Sequence, residues 1–162
     1  MCRAFLFPLL SPECCPVRPG FFMPMKREST NQIVVHCSAT APKLTIGVTE
    51  IREWHQARGW KDIGYHIVIR RNGSIEFGRP LDNAGAHVYG HNYHSVGVCM
   101  IGGVNDDGEP ENNFTKEQFQ SLRLAIDGLL SRYPGSKVLG HRDFPEVHKD
   151  CPCFNVREWF YV

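Results

Sequence analysis

Three residues carry the promise of chemistry in this chain: His36, His141 and Cys151. His141 stands in Gly140-His141-Arg142-Asp143, and Cys151 follows ten residues later in Lys149-Asp150-Cys151-Pro152-Cys153-Phe154. His36 is far upstream, closing the apolar run Ile33-Val34-Val35. Two imidazoles and one thiolate form a three-ligand set for a catalytic zinc whose fourth position takes water. Such an ion carries a net charge of about +1, lowers the pKa of its water toward roughly 7 and polarises a carbonyl. Lys149, two residues before the thiol, must stay near the metal and suits a developing oxyanion. Tyr65 offers a phenol that could orient the water or stabilise the same charge. The reaction class is metal-assisted amide hydrolysis.

Each residue also has a plain structural reading. His36 could simply end a strand, His141 could bond a backbone carbonyl, Cys151 could be a buried thiol and Lys149 a solvated charge. Spacing alone leaves both readings open.

The elements that must position these residues are legible in part. Gln32 to His36 reads as a buried strand, β-branched and continuous. Val48 to Arg58 is helical, with Val48, Ile51, Trp54 and His55 at three- and four-residue spacing and Gly59 as its stop. His55 reads as a helix-face histidine near the core rather than a ligand. Ile63 to Arg70 alternates as a strand, which sends Tyr65 and His66 to opposite faces. Asn72-Gly73 between this run and Ser74 to Gly78 predicts a hairpin with a two-residue turn. Pro80 to His94 is loop. Its His87, His91 and His94 suit a metal only on a helix that Gly85 and Gly90 oppose, so groove lining or exposure fits them better.

Ser95 to Gly102 is a central strand and Gly103 to Asn113 an acidic surface loop. Phe114 to Tyr133 is the clearest helix, with Thr115 and Gln118 as a capping box and Phe119, Leu122, Ile126, Leu129 and Leu130 as its stripe. Lys137 to Leu139 is a short strand leading into His141, and Val156 to Phe160 a short closing helix. This order gives an α/β single domain: a central mixed β-sheet flanked by helices.

Composition narrows the classes. The 162 residues favour one domain or one domain with a tail, and the formal net charge of +1 gives no support to a nucleic-acid partner. No apolar run is long enough to span a bilayer. Seven cysteines, odd in number and scattered, are not a secreted disulfide framework, so a reducing compartment at synthesis is the simpler inference. Residues 1–24 carry Pro8, Pro12, Pro16, Pro19 and Pro24, a density that neither helix nor strand survives. They read as a disordered extension, with Met25 as an alternative start. The apolar Ala4 to Leu10 is too short and interrupted for a convincing signal peptide.

The ordered motifs match a known pattern. Val35-His36-Cys37-Ser38-Ala39-Thr40, Gly64-Tyr65-His66, Ser95-Val96-Gly97-Val98-Cys99, Gly140-His141-Arg142-Asp143 and Lys149-Asp150-Cys151-Pro152 resemble the N-acetylmuramoyl-L-alanine amidases, the zinc family that phage lysozyme-like amidases share with peptidoglycan recognition proteins. The resemblance runs from about residue 27 to 160 and is closest to the phage type. It implies a zinc cleft in the domain 25–162, with His36, His141 and Cys151 as ligands and Tyr65 and Lys149 as catalytic side chains. It implies His66 and His87 along the substrate groove. The implied reaction cuts the amide between N-acetylmuramic acid and the L-alanine of the peptidoglycan stem peptide. With no convincing signal, synthesis in the cytoplasm and action at the cell wall is the expectation.

Two positions depart from the pattern. Cys153 replaces a small non-thiol residue, and Asn155 replaces an aspartate whose charge would support the ligand shell. The gap from His141 to Cys151 is also longer than in the phage type. Two other readings stand beside the enzyme: a non-catalytic peptidoglycan-binding module, and a redox or structural zinc protein using Cys151-Pro152-Cys153.

Overall fold

The computed structural model describes residues 25–162, so the expectations for residues 1–24 lie outside the described residues. Eight regular elements follow in order: β1 (Gln32–Cys37), α1 (Val48–Ala57), β2 (Ile67–Ile69), β3 (Ile75–Phe77), β4 (Ser95–Met100), α2 (Lys116–Arg132), β5 (Lys137–Gly140) and α3 (Val156–Tyr161). They build one sheet in the order β3-β2-β4-β1-β5. Only the edge strand β3 runs antiparallel; β2, β4, β1 and β5 are parallel. This is the mixed sheet between helices that the element order predicts.

The central strands are buried on both faces, which is why they read as unbroken apolar runs. On one face, Ile33 and Val35 of β1 pack with Leu122, Ile126 and Leu129 of α2 and with Phe154 and Val156. Each such side chain contributes roughly 1.5–3 kcal/mol by leaving water. On the other face Val68 and Cys99 pack under Val48 and Ile51 of α1. Helix α2 begins as its capping box predicts: Thr115 Oγ1 accepts the Gln118 N–H at 3.1 Å, and Gln118 Oε1 accepts the Thr115 N–H at 3.1 Å. The buried Gln118 amide also donates to the carbonyls of Ile69 (3.3 Å) and Ile101 (2.8 Å), so one side chain ties the helix start to two strand ends. The start of α1 is served from β3: Val48 N–H donates to Glu76 at 2.7 Å, a favourable carboxylate position.

Two local expectations are corrected. The hairpin connection is longer than two residues. The Arg70 N–H donates to Ser74 O (2.9 Å) and the Gly73 N–H to Arg70 O (2.9 Å), enclosing Arg71-Asn72-Gly73, with Gly73 at φ +83°. That is a tight turn followed by one left-handed residue. The strand expected from Ile63 to Arg70 is regular only over Ile67–Ile69. Residues 63–65 are diverted because Gly64 lies against the Ala86 backbone, where any Cβ would collide with the Ala86 carbonyl, and Ala86 N–H bonds Gly64 O at 3.0 Å. The diversion takes Tyr65 off the sheet and toward the strand ends.

Candidate active site

The cleft forms at the carboxyl ends of β1 and β5, where open α/β sheets bind ligands. The parallel register pairs Val35 with Gly140. The next residue on each strand is therefore His36 beside His141, and their rings lie 4.5 Å apart. His141 opens a short 3-10 turn, His141–Asp143, held because Asp143 accepts the Gly140 N–H (2.9 Å) and pairs with Arg157 (3.4 Å). The chain then loops out and returns, with Arg142 N–H bonded to Cys151 O at 2.7 Å. The Cys151 sulfur accepts the Cys37 N–H at 3.2 Å and stands 3.9 Å from His36 Nδ1.

The three donor atoms of His36, His141 and Cys151 all lie within 4.8 Å of one another. Zinc bonds of about 2.0–2.3 Å in a tetrahedron separate donors by roughly 3.3–3.7 Å. The set therefore fits a zinc ion with small adjustments. It is the one convergent group of three His, Cys, Asp or Glu side chains among the described residues. His87, His91 and His94 do not converge.

Electrostatics agree with a metal role. Burial, and then His87, His141 and His66, hold His36 well below the ordinary histidine value. Burial and the nearby Lys149 ammonium lower His141. Both imidazoles are neutral at neutral pH, the form that binds a metal. His36 Nε2 lies 3.0 Å from His87 Nδ1. With His36 Nδ1 turned to the donor cluster, Nε2 carries the proton and donates to His87. His87 Nε2–H then faces Ser95 Oγ (3.4 Å), which donates to His91 O (2.8 Å). This buried relay fixes the His36 tautomer.

Tyr65 packs its ring against His36 (5.2 Å) and His55 (5.6 Å) and lines the cleft. Burial, then the Cys99, Cys151 and Cys37 sulfurs, raise its phenol well above the usual value, so it remains an O–H donor. Lys149 is exposed on the rim with Arg58, His141 and Cys151. The cleft encloses about 350 Å³.

His66 is not on a groove. It is fully buried; its Nδ1 accepts the Gly97 N–H (2.9 Å) and its Nε2–H donates to Asn83 O (3.0 Å). Burial lowers it to about 4, and its role is to tie β4 to the loop before His87. His87 is likewise interior, beneath His36 rather than along open substrate space. Asn155 has a different place from the charge expected there: its Oδ1 accepts the Glu158 N–H (3.2 Å), capping α3 as an aspartate would. Cys153 turns its sulfur to Gly103 O (3.0 Å) and Cys37, and burial pushes its thiol up to about 12, so it is a protonated neighbour of the donor set.

Sequence reasoning missed two contributors. His55 Nδ1 accepts the Gly64 N–H (2.9 Å), holding the segment that presents Tyr65. Arg58 reaches the rim from the end of α1, and no spacing marks it.

Comparison with known proteins agrees with this geometry. The profile of the N-acetylmuramoyl-L-alanine amidase family matches residues 26–154. The endolysin of Klebsiella phage KP32 is 47% identical over 135 residues, covering 83% of this chain and 88% of the relative. The solved structure of the N-acetylmuramoyl-L-alanine amidase LysC from Clostridium intestinale URNW superposes with a TM-score of 0.69 at 29% identity, over 82% of this chain and 86% of that one. Wild-type Drosophila PGRP-LB gives 0.64 at 25% identity, over 79% and 81%. The chain belongs to the N-acetylmuramoyl-L-alanine amidase family and is an enzyme of that class.

Proposed function

We propose that this amidase is zinc-dependent and hydrolyses the amide between N-acetylmuramic acid and the L-alanine of the stem peptide. The observation that carries this reading is the convergence of His36, His141 and Cys151 at one cleft that also holds Tyr65 and Lys149. Zinc, when bound, supplies water activation and carbonyl polarisation.

The chain's own residues do the rest. His36 and His141 enter as neutral imidazoles, and His87 holds the His36 ring in its ligating tautomer. Cys151 offers its sulfur while the Cys37 amide steadies it. Tyr65 donates its phenolic proton in a hydrogen bond to the carbonyl oxygen as negative charge develops there. Lys149 adds a mobile positive charge at the rim, opposing the charge of the tetrahedral oxyanion.

A binding-only module is the other use of this fold. The presence of Tyr65, Lys149 and Cys151 together at one cleft favours hydrolysis. Cys153 stands outside the donor set, which disfavours a closed structural zinc site. Among the described residues no helix is long and apolar enough to cross a membrane. From its similarity to phage endolysins we place the action of the enzyme at the cell wall after cytoplasmic synthesis.

The test is digestion of purified peptidoglycan. Release of free stem peptides that begin with L-alanine, abolished by chelator and restored by zinc, is expected. Binding to the wall without release by zinc-loaded protein would assign the chain to the recognition modules.

A further inference from the structure

Cys37 and Cys153 stand together beside the donor set without belonging to it. Their sulfurs are 3.9 Å apart. Cys37 ends β1, directly after His36, and its backbone is fixed by pairing with Met100 and by the Ser38 N–H bond to Met100 O (3.0 Å). Cys153 follows Cys151 by two residues and has φ +73°, a conformation uncommon outside glycine. That turn of the backbone aims its sulfur back at the end of β1. Cys153 lines the cleft and is partly exposed, so a small reagent reaches it before Cys37, and the burial that raises its thiol makes the exchange slow. Among the other described cysteines, Cys99 is fully buried, and Cys151, although its sulfur also contacts the Cys37 thiol, belongs to the donor set.

We propose that Cys37 and Cys153 are a disulfide pair, closed by exchange with a small-molecule disulfide when the enzyme leaves a reducing compartment. The proposal goes beyond the amidase reading and does not rest on it. The Cys153 sulfur, giving up its proton, attacks one sulfur of the small disulfide and releases one small thiol. Cys37, giving up its proton, then attacks the mixed disulfide and releases the second. One protein S–S bond forms, one small-molecule S–S bond breaks, and two electrons and two protons pass to the small thiols. The sulfurs must approach from 3.9 Å to about 2.05 Å for the bond to form. The bond joins positions 37 and 153, nearly the whole folded chain, so it restricts the unfolded ensemble strongly. It also ties the strand end that carries His36 to the loop that carries Cys151.

The experiment treats the full chain, zinc-loaded and metal-free, with oxidised glutathione in mildly alkaline buffer. Non-reducing peptide mapping and thermal melts then read the products. The expected result is a peptide linking Cys37 to Cys153, a mass lower by two hydrogens, and a melting midpoint raised by at least about 5 °C that dithiothreitol reverses. Cys153→Ser should gain neither link nor midpoint, and Cys37→Ser should accumulate only the glutathione adduct on Cys153. Linkage of either thiol to Cys151, to Cys99 or to a cysteine in residues 1–24 would overturn the proposal. So would an adduct that never closes in the wild-type chain, or the same midpoint gain in Cys153→Ser. Because the link is read by mass, it stands or falls apart from any loss of amidase activity.

Discussion

His36 and Lys149 face the same cleft from opposite kinds of ground. His36 is 1% exposed, sits in a central strand, and has its far nitrogen held by His87. Lys149 is exposed on a loop and keeps the freedom of its four-carbon stem. On the proposed mechanism His36, as a metal ligand, has one geometry to satisfy throughout turnover, and a packed sheet supplies it. A group that meets charge only as it develops gains from reach, and a rim loop supplies that. The contrast predicts that damage on the two sides will have different signatures.

The largest effect should come from the interior side. His36→Ala or Cys151→Ala should lose bound zinc and lower amidase turnover by well beyond the roughly 10–100-fold that supporting residues cost. Metal analysis of the purified variants checks this, and a variant with full zinc occupancy would remove that residue from the ligand set. Lys149→Ala should leave zinc content intact and the melting midpoint nearly so, while kcat falls by about 10²–10³. Unchanged turnover there would erase the contrast. His87→Ala should weaken zinc binding roughly 10–100-fold, measured by competition with a chromophoric chelator, and His87→Gln should recover part of it through its carbonyl oxygen. An unaltered affinity in both variants would show that the relay beneath His36 does not set its tautomer.

The smallest effect is on acid stability. The folded values of His36, His87 and His66 lie below the ordinary 6.5, His66 at about 4. Above pH 6.5 neither folded nor unfolded chain protonates these rings, and their contribution is complete. As pH falls from there, the unfolded chain takes up protons first, and stability is lost down through the folded values. Melts of the metal-free protein should be flat above about 6.5 and fall steadily toward about 4. A midpoint that held constant across that window would mean these rings titrate normally.

Local chemistry made much of this legible in the sequence. The β-branched run of β1, the capping box of α2 and the breakers around the Pro80–His94 loop are short-range signals, and the elements stand where they place them. The resemblance to the amidases and the fold it implies are also confirmed. The rest depends on contacts between distant segments. Nothing near Ile63 announces that Gly64 will lean on Ala86 and shorten the strand. The groove expectation for His66 and His87 comes from the family resemblance, not from their own surroundings in the sequence. Their burial follows from partners at Gly97, Asn83 and Ser95, each brought in by tertiary folding. Asn155 looked like a missing charge, and its capping bond is visible only once α3 has a defined start.

The pairing of Val35 with Gly140 has a consequence for how such a chain can vary. Side chains on a strand alternate between faces, so a single residue added within Lys137–Gly140 would rotate His141 to the wrong side, away from His36 and Cys151. Between Phe144, which is buried, and Lys149, which serves the cleft, the rim loop lies outside the sheet and is under no such parity constraint. The length of that short rim segment can change so long as Lys149 still reaches the cleft, while β5 must keep its count.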